Sequence, residues 1–295
     1  ARAKSWCKLP VMLRITPTLL ILLLPSCLAF PVYRETEKDS LVAVCVISDA
    51  REVAGLKVAL STILSAKIKN VQIFTLEWIE NAIAESIGAM ITLFGTESVR
   101  IVRMPNEYLT HHGYSMLLKD EKFWWACDGE WVLIFQADSI LCLGSDARLD
   151  EFMLYDYIGA PFLPGECPSG HDKDRSMCQD DFDKMATHAG LKIPEGVGGN
   201  GGFSLRRRSK MIEMCQTCGS SHPFYSWNED IFFSYPCDNV TLRLPSEPVA
   251  RRFSVETGLF HPAPYGIHKV WVYRNETELV KLAAACRELL LLIPN

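Results

Sequence analysis

Apolar residues in this chain fall into short continuous runs that alternate with stripes at helical spacing, a pattern that begins at Leu41. Leu41 to Ser48 is an unbroken run of strand length, and Glu52 to Lys67 then carries Val53, Leu56, Leu60, Ile63 and Leu64 on one helical face. Val71 to Thr75 predicts a second strand, Ile79 to Leu93 a second helix, and Val99 to Met104 a third strand stopped by Pro105. Tyr114 to Cys127 reads as one further helix and Trp131 to Phe135 as a fourth strand. Strands separated by helices of this length predict an α/β domain, with a mostly parallel central sheet and helices on both faces. Ligands of such sheets bind beyond the carboxyl ends of the strands, so the segments to watch are Ser48 to Arg51, Thr75 to Trp78 and Gln136 to Ser139.

The second half has a different texture. Phe162 to Gly198 is rich in Pro, Gly, Asp and Lys with few periodic apolar positions, which predicts a loop or lid. Its acidic part, His171 to Asp183, has Met177 where a calcium loop needs glycine. Gly201 to Leu205 predicts a strand, Arg208 to Cys215 a helix and Glu229 to Phe233 a short helix. Glu276 to Leu291 predicts a closing helix with Leu279, Leu282, Ala283, Cys286 and Leu290 on its packing face. No internal repeat or Ser/Gly linker divides residues 35–295, which read as one domain.

Composition alters this picture mainly at the N-terminus. No acidic residue precedes Glu35, while Arg2, Lys4, Lys8, Arg14 and Arg34 do, and Leu19 to Phe30 is a short apolar run. That order makes residues 1–34 a cleaved signal peptide or a retained signal-anchor, giving at most a single N-terminal membrane anchor. The remainder carries 25 basic against 35 acidic side chains, a net −10 that argues against nucleic acid as a partner. Eleven cysteines and the sequons Asn239-Val-Thr241 and Asn275-Glu-Thr277 favour the secretory pathway, with residence in the Golgi or ER lumen or secretion. Cys215-Gln-Thr-Cys218 lacks a recognised second pair of zinc ligands and is expected to hold a disulfide or buried thiols; Cys45, Cys127 and Cys142 read as core thiols.

Four clusters carry chemistry. Trp131 to Ser139 is a hydrophobic strand that runs into polar residues, with Gln136 and Asp138 on one side; such a carboxylate suits a hard divalent cation that holds a diphosphate, or the cap of the next turn. In Gly198-Gly-Asn-Gly-Gly-Phe-Ser-Leu-Arg206 the glycines permit close approach of backbone to a ligand; the run fits neither a Walker loop nor a dinucleotide fingerprint. Asn228-Glu229-Asp230 puts two carboxylates at a helix start beside Phe224, Tyr225 and Trp227. This suits either helix capping or a partly desolvated general base. Tyr265-Gly-Ile-His268-Lys269 adds a His and a Lys on one turn.

Taken in order, Leu133-Ile-Phe-Gln-Ala-Asp-Ser139, Tyr155-Asp-Tyr-Ile-Gly-Ala-Pro161, Gly199-Asn-Gly-Gly-Phe-Ser-Leu-Arg206, Glu229-Asp-Ile-Phe-Phe233, Phe253-Ser-Val-Glu256 and Gly266-Ile-His-Lys269 resemble an uncharacterised family of glycosyltransferase-like domains. That family resembles the GT-A class of nucleotide-sugar glycosyltransferases, with a Rossmann-like α/β fold. The resemblance implies a nucleotide-sugar donor, a glycan, glycoconjugate or small-molecule acceptor, and a Mn²⁺ or Mg²⁺ ion on Asp138 and His268. Gln136 stands where the first acid of the metal motif is expected. It further implies Asp230 as the base of an inverting transfer with Glu229 beside it. Arg51, Gln136, Asn200, Gly201, Gly202, Arg206 and Lys269 become donor- or acceptor-binding residues, Lys269 and Arg206 neutralising phosphate if no metal does. The competing expectation is a catalytically inactive glycan- or nucleotide-binding protein of the same fold.

Overall fold

The computed structural model describes residues 37, 39–94, 99–105, 111–165 and 178–293. The signal or anchor segment expected over residues 1–34 and most of the acidic stretch after Phe162 lie outside the described residues. Among the described residues no helix is long and apolar enough to cross a membrane.

Six strands form the central sheet: β1 (Leu41–Ile47), β2 (Val71–Thr75), β3 (Val99–Arg103), β4 (Trp131–Phe135), β6 (Tyr157–Ala160) and β7 (Asn200–Arg207), in the order β3-β2-β1-β4-β7-β6. β1 to β4 are parallel neighbours, whereas β7 runs antiparallel between β4 and β6. A second, three-stranded sheet holds β5 (Ser139–Leu141), β8 (Ser254–Val255) and β9 (Gly266–His268), with β9 in the middle. β1 and β4 are buried along almost their whole length, which is why they appear in the sequence as continuous apolar runs without alternation.

The helix over Val53–Ser65 buries Val53, Leu56, Leu60, Ile63 and Leu64, the stripe read from the sequence. The single helix expected over Tyr114 to Cys127 is two, His111–Leu118 and Glu121–Ala126, because Asp120 stops the first and caps the second by accepting a bond from Lys122 N at 2.9 Å. The expected loop after Phe162 contains a helix at Gln179–His188. The closing helix ends at Ala285 and continues as a 3₁₀ turn over Arg287–Leu291; the changed pitch buries Leu289 and leaves Leu290 67% exposed.

Disulfides account for most described cysteines. Cys142, expected as a core thiol, instead bonds Cys286 and ties β5's end to the C-terminal helix, beside a small core of Ile140, Val255, Ile267, Leu282 and Leu289. Cys218 bonds Cys237, and Cys178 is also disulfide-bonded. Cys45 and Cys127 are buried thiols, and Cys215 is free and half-buried.

Candidate active site

The end of β4 organises the site. Phe135 pairs with Phe203 of β7, and Gln136 N donates to Gly202 O at 2.9 Å. The chain then turns tightly, Ser139 donating through N and Oγ to Gln136 O at 3.1 and 2.7 Å, with Asp138 in the turn. β5 leaves this turn and pairs with β9 so that Ser139 lies opposite His268, while Lys269 N donates to Asp138 O at 3.0 Å. Strand pairing across 130 residues of sequence thus sets Asp138 beside His268 and Lys269.

A cavity of about 730 Å³ opens at this edge, where β1 and β4 are neighbours and the strand order reverses direction. Ser48, Asp49, Arg51 and Glu52 line it from the end of β1, Gln136 and Asp138 from the end of β4, and Lys269, Trp271, Leu291 and Leu292 from the C-terminal region. Asp49 is held by Arg51, whose hydrogen bonds and charge draw its carboxyl down to about 2. Glu52 accepts from Ser48 N and Asp49 N at 3.0 and 3.1 Å, yet burial raises its pKa.

His268 is buried between two carboxylates. Nε2 lies 3.1 Å from Asp138 Oδ1, and Nδ1 lies 2.9 Å from Glu256 Oε1 and 3.0 Å from Asn200 Oδ1. Burial by itself lowers the pKa of such a ring, but Asp138 and Glu256 outweigh it and push His268 up to about 10. For Asp138 burial raises the pKa, and the charges of His268 and Lys269 more than reverse this, bringing it to about 2. The two residues expected as metal ligands therefore form an ion pair with each other. Among the described residues no group of three or more His, Cys, Asp or Glu side chains is arranged to hold a metal ion. As they stand, Asp138 and His268 leave no side open to a divalent cation: both imidazole nitrogens and both Asp138 carboxylate oxygens already face protein partners.

Asn200 links this pair to Asp230. Its Oδ1 accepts from Gly202 N at 2.8 Å and meets His268, which turns Nδ2 toward Asp230 Oδ2 at 3.4 Å. Asp230 is 4% exposed; Oδ1 accepts from its neighbour Ile231 N at 2.8 Å, and among the described residues Oδ2 has only long contacts of 3.4 Å to Asn200 Nδ2 and Gly201 N. Burial first, then the charge of Glu229, raises its pKa to about 8 against the opposing pull of Arg206. The partial desolvation expected of this carboxylate is thus close to complete. Trp227, expected to shield it, is 43% exposed, and Asp230 lies behind Asn200 rather than in the cavity wall.

Three expected ligand contacts turn inward. Arg206 is 0% exposed: Nη2 donates to Glu229 Oε1 at 3.2 Å, Nε donates to Ser204 Oγ at 3.0 Å, and the guanidinium stands 4.8 Å from the Tyr157 ring centre and 5.3 Å from that of Phe233. Glu229 also accepts from Ser115 Oγ at 3.1 Å, so this pair anchors the Asp230 helix to the sheet and cannot meet a phosphate. The glycine run likewise makes room for protein. A Cβ at Gly202 would come within 2.2 Å of the His268 ring, and one at Gly201 within 2.4 Å of Arg206 and 2.5 Å of Glu229. Glu256, Glu52 and Trp271 were not singled out by sequence reasoning; only Glu256 had a signal, its place in the Phe253-Ser-Val-Glu256 block.

The fold and site together define an α/β domain with a polar cleft at the switch point of its main sheet. The chain belongs to the family described as "Protein of unknown function (DUF5672)", which it matches over residues 98–268. It matches no curated protein. Among solved structures it is similar to the mannosyltransferase Ktr4p from S. cerevisiae in complex with GDP, at 8% identity and a TM-score of 0.46 over 71% of this chain and 72% of that one. It is also similar to core-mannan synthase A (CmsA/Ktr4) from Aspergillus fumigatus in a Mn/GDP form, at 8% identity and a TM-score of 0.42 over 70% and 71% of the two chains. The galactosyltransferase LgtC, with donor and acceptor sugar analogues, is similar at 14% identity and a TM-score of 0.39 over 65% and 69%.

Proposed function

We propose that this protein is a glycosyltransferase that moves a sugar from a nucleoside-diphosphate sugar to a hydroxyl acceptor with inversion. The observation that carries the reading is the continuous polar chain Asp138–His268–Asn200–Asp230, which joins the cleft at the switch point to a carboxylate of raised pKa. In this reading the nucleotide lies in the cleft, its diphosphate facing Lys269 and Arg51. The acceptor hydroxyl gives its proton to Asp230 Oδ2, the loosely held oxygen, and its oxygen bonds the anomeric carbon. The bond from that carbon to the phosphate oxygen breaks, and the nucleoside diphosphate leaves with the electron pair. Catalytic hydrogen bonds are often long before substrate is bound, as the 3.4 Å contacts of Oδ2 are here.

Incubating the purified chain with a panel of nucleotide sugars and simple acceptors tests this directly. One donor is expected to release its nucleoside diphosphate, and the product's anomeric configuration by NMR is expected to be inverted. No release from any donor, with the protein folded, would remove the enzymatic reading. A non-catalytic nucleotide-sugar binder is the second reading, favoured by the position of Asp230 outside the cavity wall; it predicts binding without release.

We further propose that the protein resides in the secretory pathway. The disulfides Cys142–Cys286 and Cys218–Cys237 support an oxidising compartment. Both sequon asparagines are exposed; Asn275 caps a helix through Oδ1, which accepts from Glu278 N, whereas a glycan would attach to Nδ2. Endoglycosidase treatment of protein expressed in a eukaryotic cell is expected to increase gel mobility, and Asn239→Gln with Asn275→Gln to abolish that change. An unchanged mobility together with a cytosolic distribution would overturn the assignment.

A further inference from the structure

We infer that Lys269 meets the donor diphosphate in place of a divalent cation, an inference that rests on the donor reading above. The argument starts from Asp138, the one carboxylate of its turn, two residues after Gln136. Its Oδ1 already faces the His268 ring at 3.1 Å, and its Oδ2 faces Lys269 Nζ at 3.8 Å. His268 has Glu256 and Asn200 on its other nitrogen, so both ring nitrogens already face protein oxygens. A hard cation prefers open carboxylate oxygens. Here it would approach a carboxylate whose two oxygens already face the His268 ring and the Lys269 ammonium.

The backbone supplies a second, independent observation. Lys269 lies in the left-handed region, with φ +50 and ψ 28, a conformation disfavoured for a residue with a Cβ. It is held there by its own N–H, which donates to Asp138 O, and by the pairing of the preceding His268 with Ser139. Strain of this kind tends to collect at ligand-binding positions. The effect is to lay the lysine side chain, still 45% exposed, along the cleft. The other acids of the wall make no claim on it: Asp49 is held by Arg51, and Glu52 accepts from backbone N–H groups. At 3.8 Å the Lys269–Asp138 contact is longer than a hydrogen bond, so the ammonium can turn to a phosphate oxygen without breaking a tight pair. Charge on the departing diphosphate would then be met by a fixed ammonium, with the His268 ring behind it.

Calorimetric titration of the full chain with UDP and with GDP, in chelator and in MnCl2, tests this. For the nucleotide that binds, the Kd is expected to agree within about twofold between the two conditions. Lys269→Asn keeps a residue that tolerates the left-handed conformation and removes the charge; in chelator it is expected to weaken binding about tenfold or more, the scale of one charge-assisted hydrogen bond. Lys269→Arg is expected to stay within about threefold, since a cation remains. Binding seen only with manganese, or an unchanged Kd in Lys269→Asn, overturns the inference and leaves the donor reading standing. If neither nucleotide binds in any condition while circular dichroism shows folded protein, the donor reading falls and this inference with it.

Discussion

Replacing Asp230 with Asn is expected to lower sugar transfer by about two to four orders of magnitude, the usual contribution of a positioned general base. Donor affinity is expected to stay within about twofold and the melting temperature at pH 7 within about 2 °C. The reason is electrostatic: with its pKa raised to about 8, Asp230 is mostly neutral at pH 7, so the amide replaces a group of nearly the same shape and charge. The same property sets the pH profile of the native protein. kcat/KM is expected to rise as Asp230 ionises, with its acidic limb centred near pH 8, and the Asp230→Asn variant should lose that limb.

Stability moves the other way over the same range. Asp230, raised above its ordinary value, contributes stability that is fully present in acid and is lost as pH rises through about 8. His268, raised from 6.5 to about 10, contributes stability present below 6.5 and lost as pH rises through 10. Asp138, lowered from 3.8 to about 2, contributes above 3.8 and loses its contribution only as pH falls through 2. The protein should therefore be most stable in mild acid and most active in mild alkali, and rate must be measured beside a melting curve at every pH. A wild-type rate in Asp230→Asn would remove Asp230 from the mechanism and with it the case for inversion.

What the sequence disclosed and what it withheld follow from how each feature is encoded. β2 and β4 were legible to the residue because both are buried throughout, β4 as an unbroken apolar run and β2 as a short β-branched and aromatic run in which Gln72 and Thr75 are buried too. The break at Asp120 was not legible, since Leu117, Leu118, Phe123 and Trp124 continue the apolar pattern across it. β8 and β9 have two and three residues, too few for any period to show, yet their pairing is what delivers His268 and Lys269 to Asp138. His268 and Lys269 stand out in the sequence as a His and a Lys on one turn, but their assignment to one site with Asp138 rests on blocks that resemble a known family. The glycine run was read as a place where backbone approaches a ligand; the close approach exists, but to the His268 ring and to Arg206 and Glu229. Nothing in one dimension separates an arginine that meets a phosphate from one that meets three aromatic rings. That distinction depends on Trp124, Tyr157 and Phe233, which converge from three different parts of the chain.

The buried pair itself gives the largest expected effect on stability. Glu229→Gln leaves the Arg206 guanidinium inside the protein with its countercharge gone, Nη1 already lacking a hydrogen-bond partner among the described residues. Breaking one side of a buried ion pair typically costs about 3–5 kcal/mol, and urea denaturation should read a loss of that order. Arg206→Met should cost a similar amount, because Glu229 would keep Ser115 as a partner but lose its cation. The double variant Arg206→Met with Glu229→Leu removes both charges of the pair from the interior. It is expected to recover much of the loss, which would appear in a double-mutant cycle as a coupling of about 2–3 kcal/mol. The rings of Tyr157 and Phe233, which now face the guanidinium at 4.8 and 5.3 Å, would pack against the methionine instead. If the ion pair serves only stability, this double variant should also retain transfer activity. If it fixes the helix that carries Asp230, transfer should fall while urea stability recovers, because a repacked core can hold the fold and still leave the carboxylate misplaced. We expect the second outcome, since Glu229 and Asp230 are adjacent on that helix and Glu229 is its charged anchor to the sheet. Equal losses in both single variants with no coupling between them would mean that Arg206 and Glu229 act independently, and would leave Asp230 without this support.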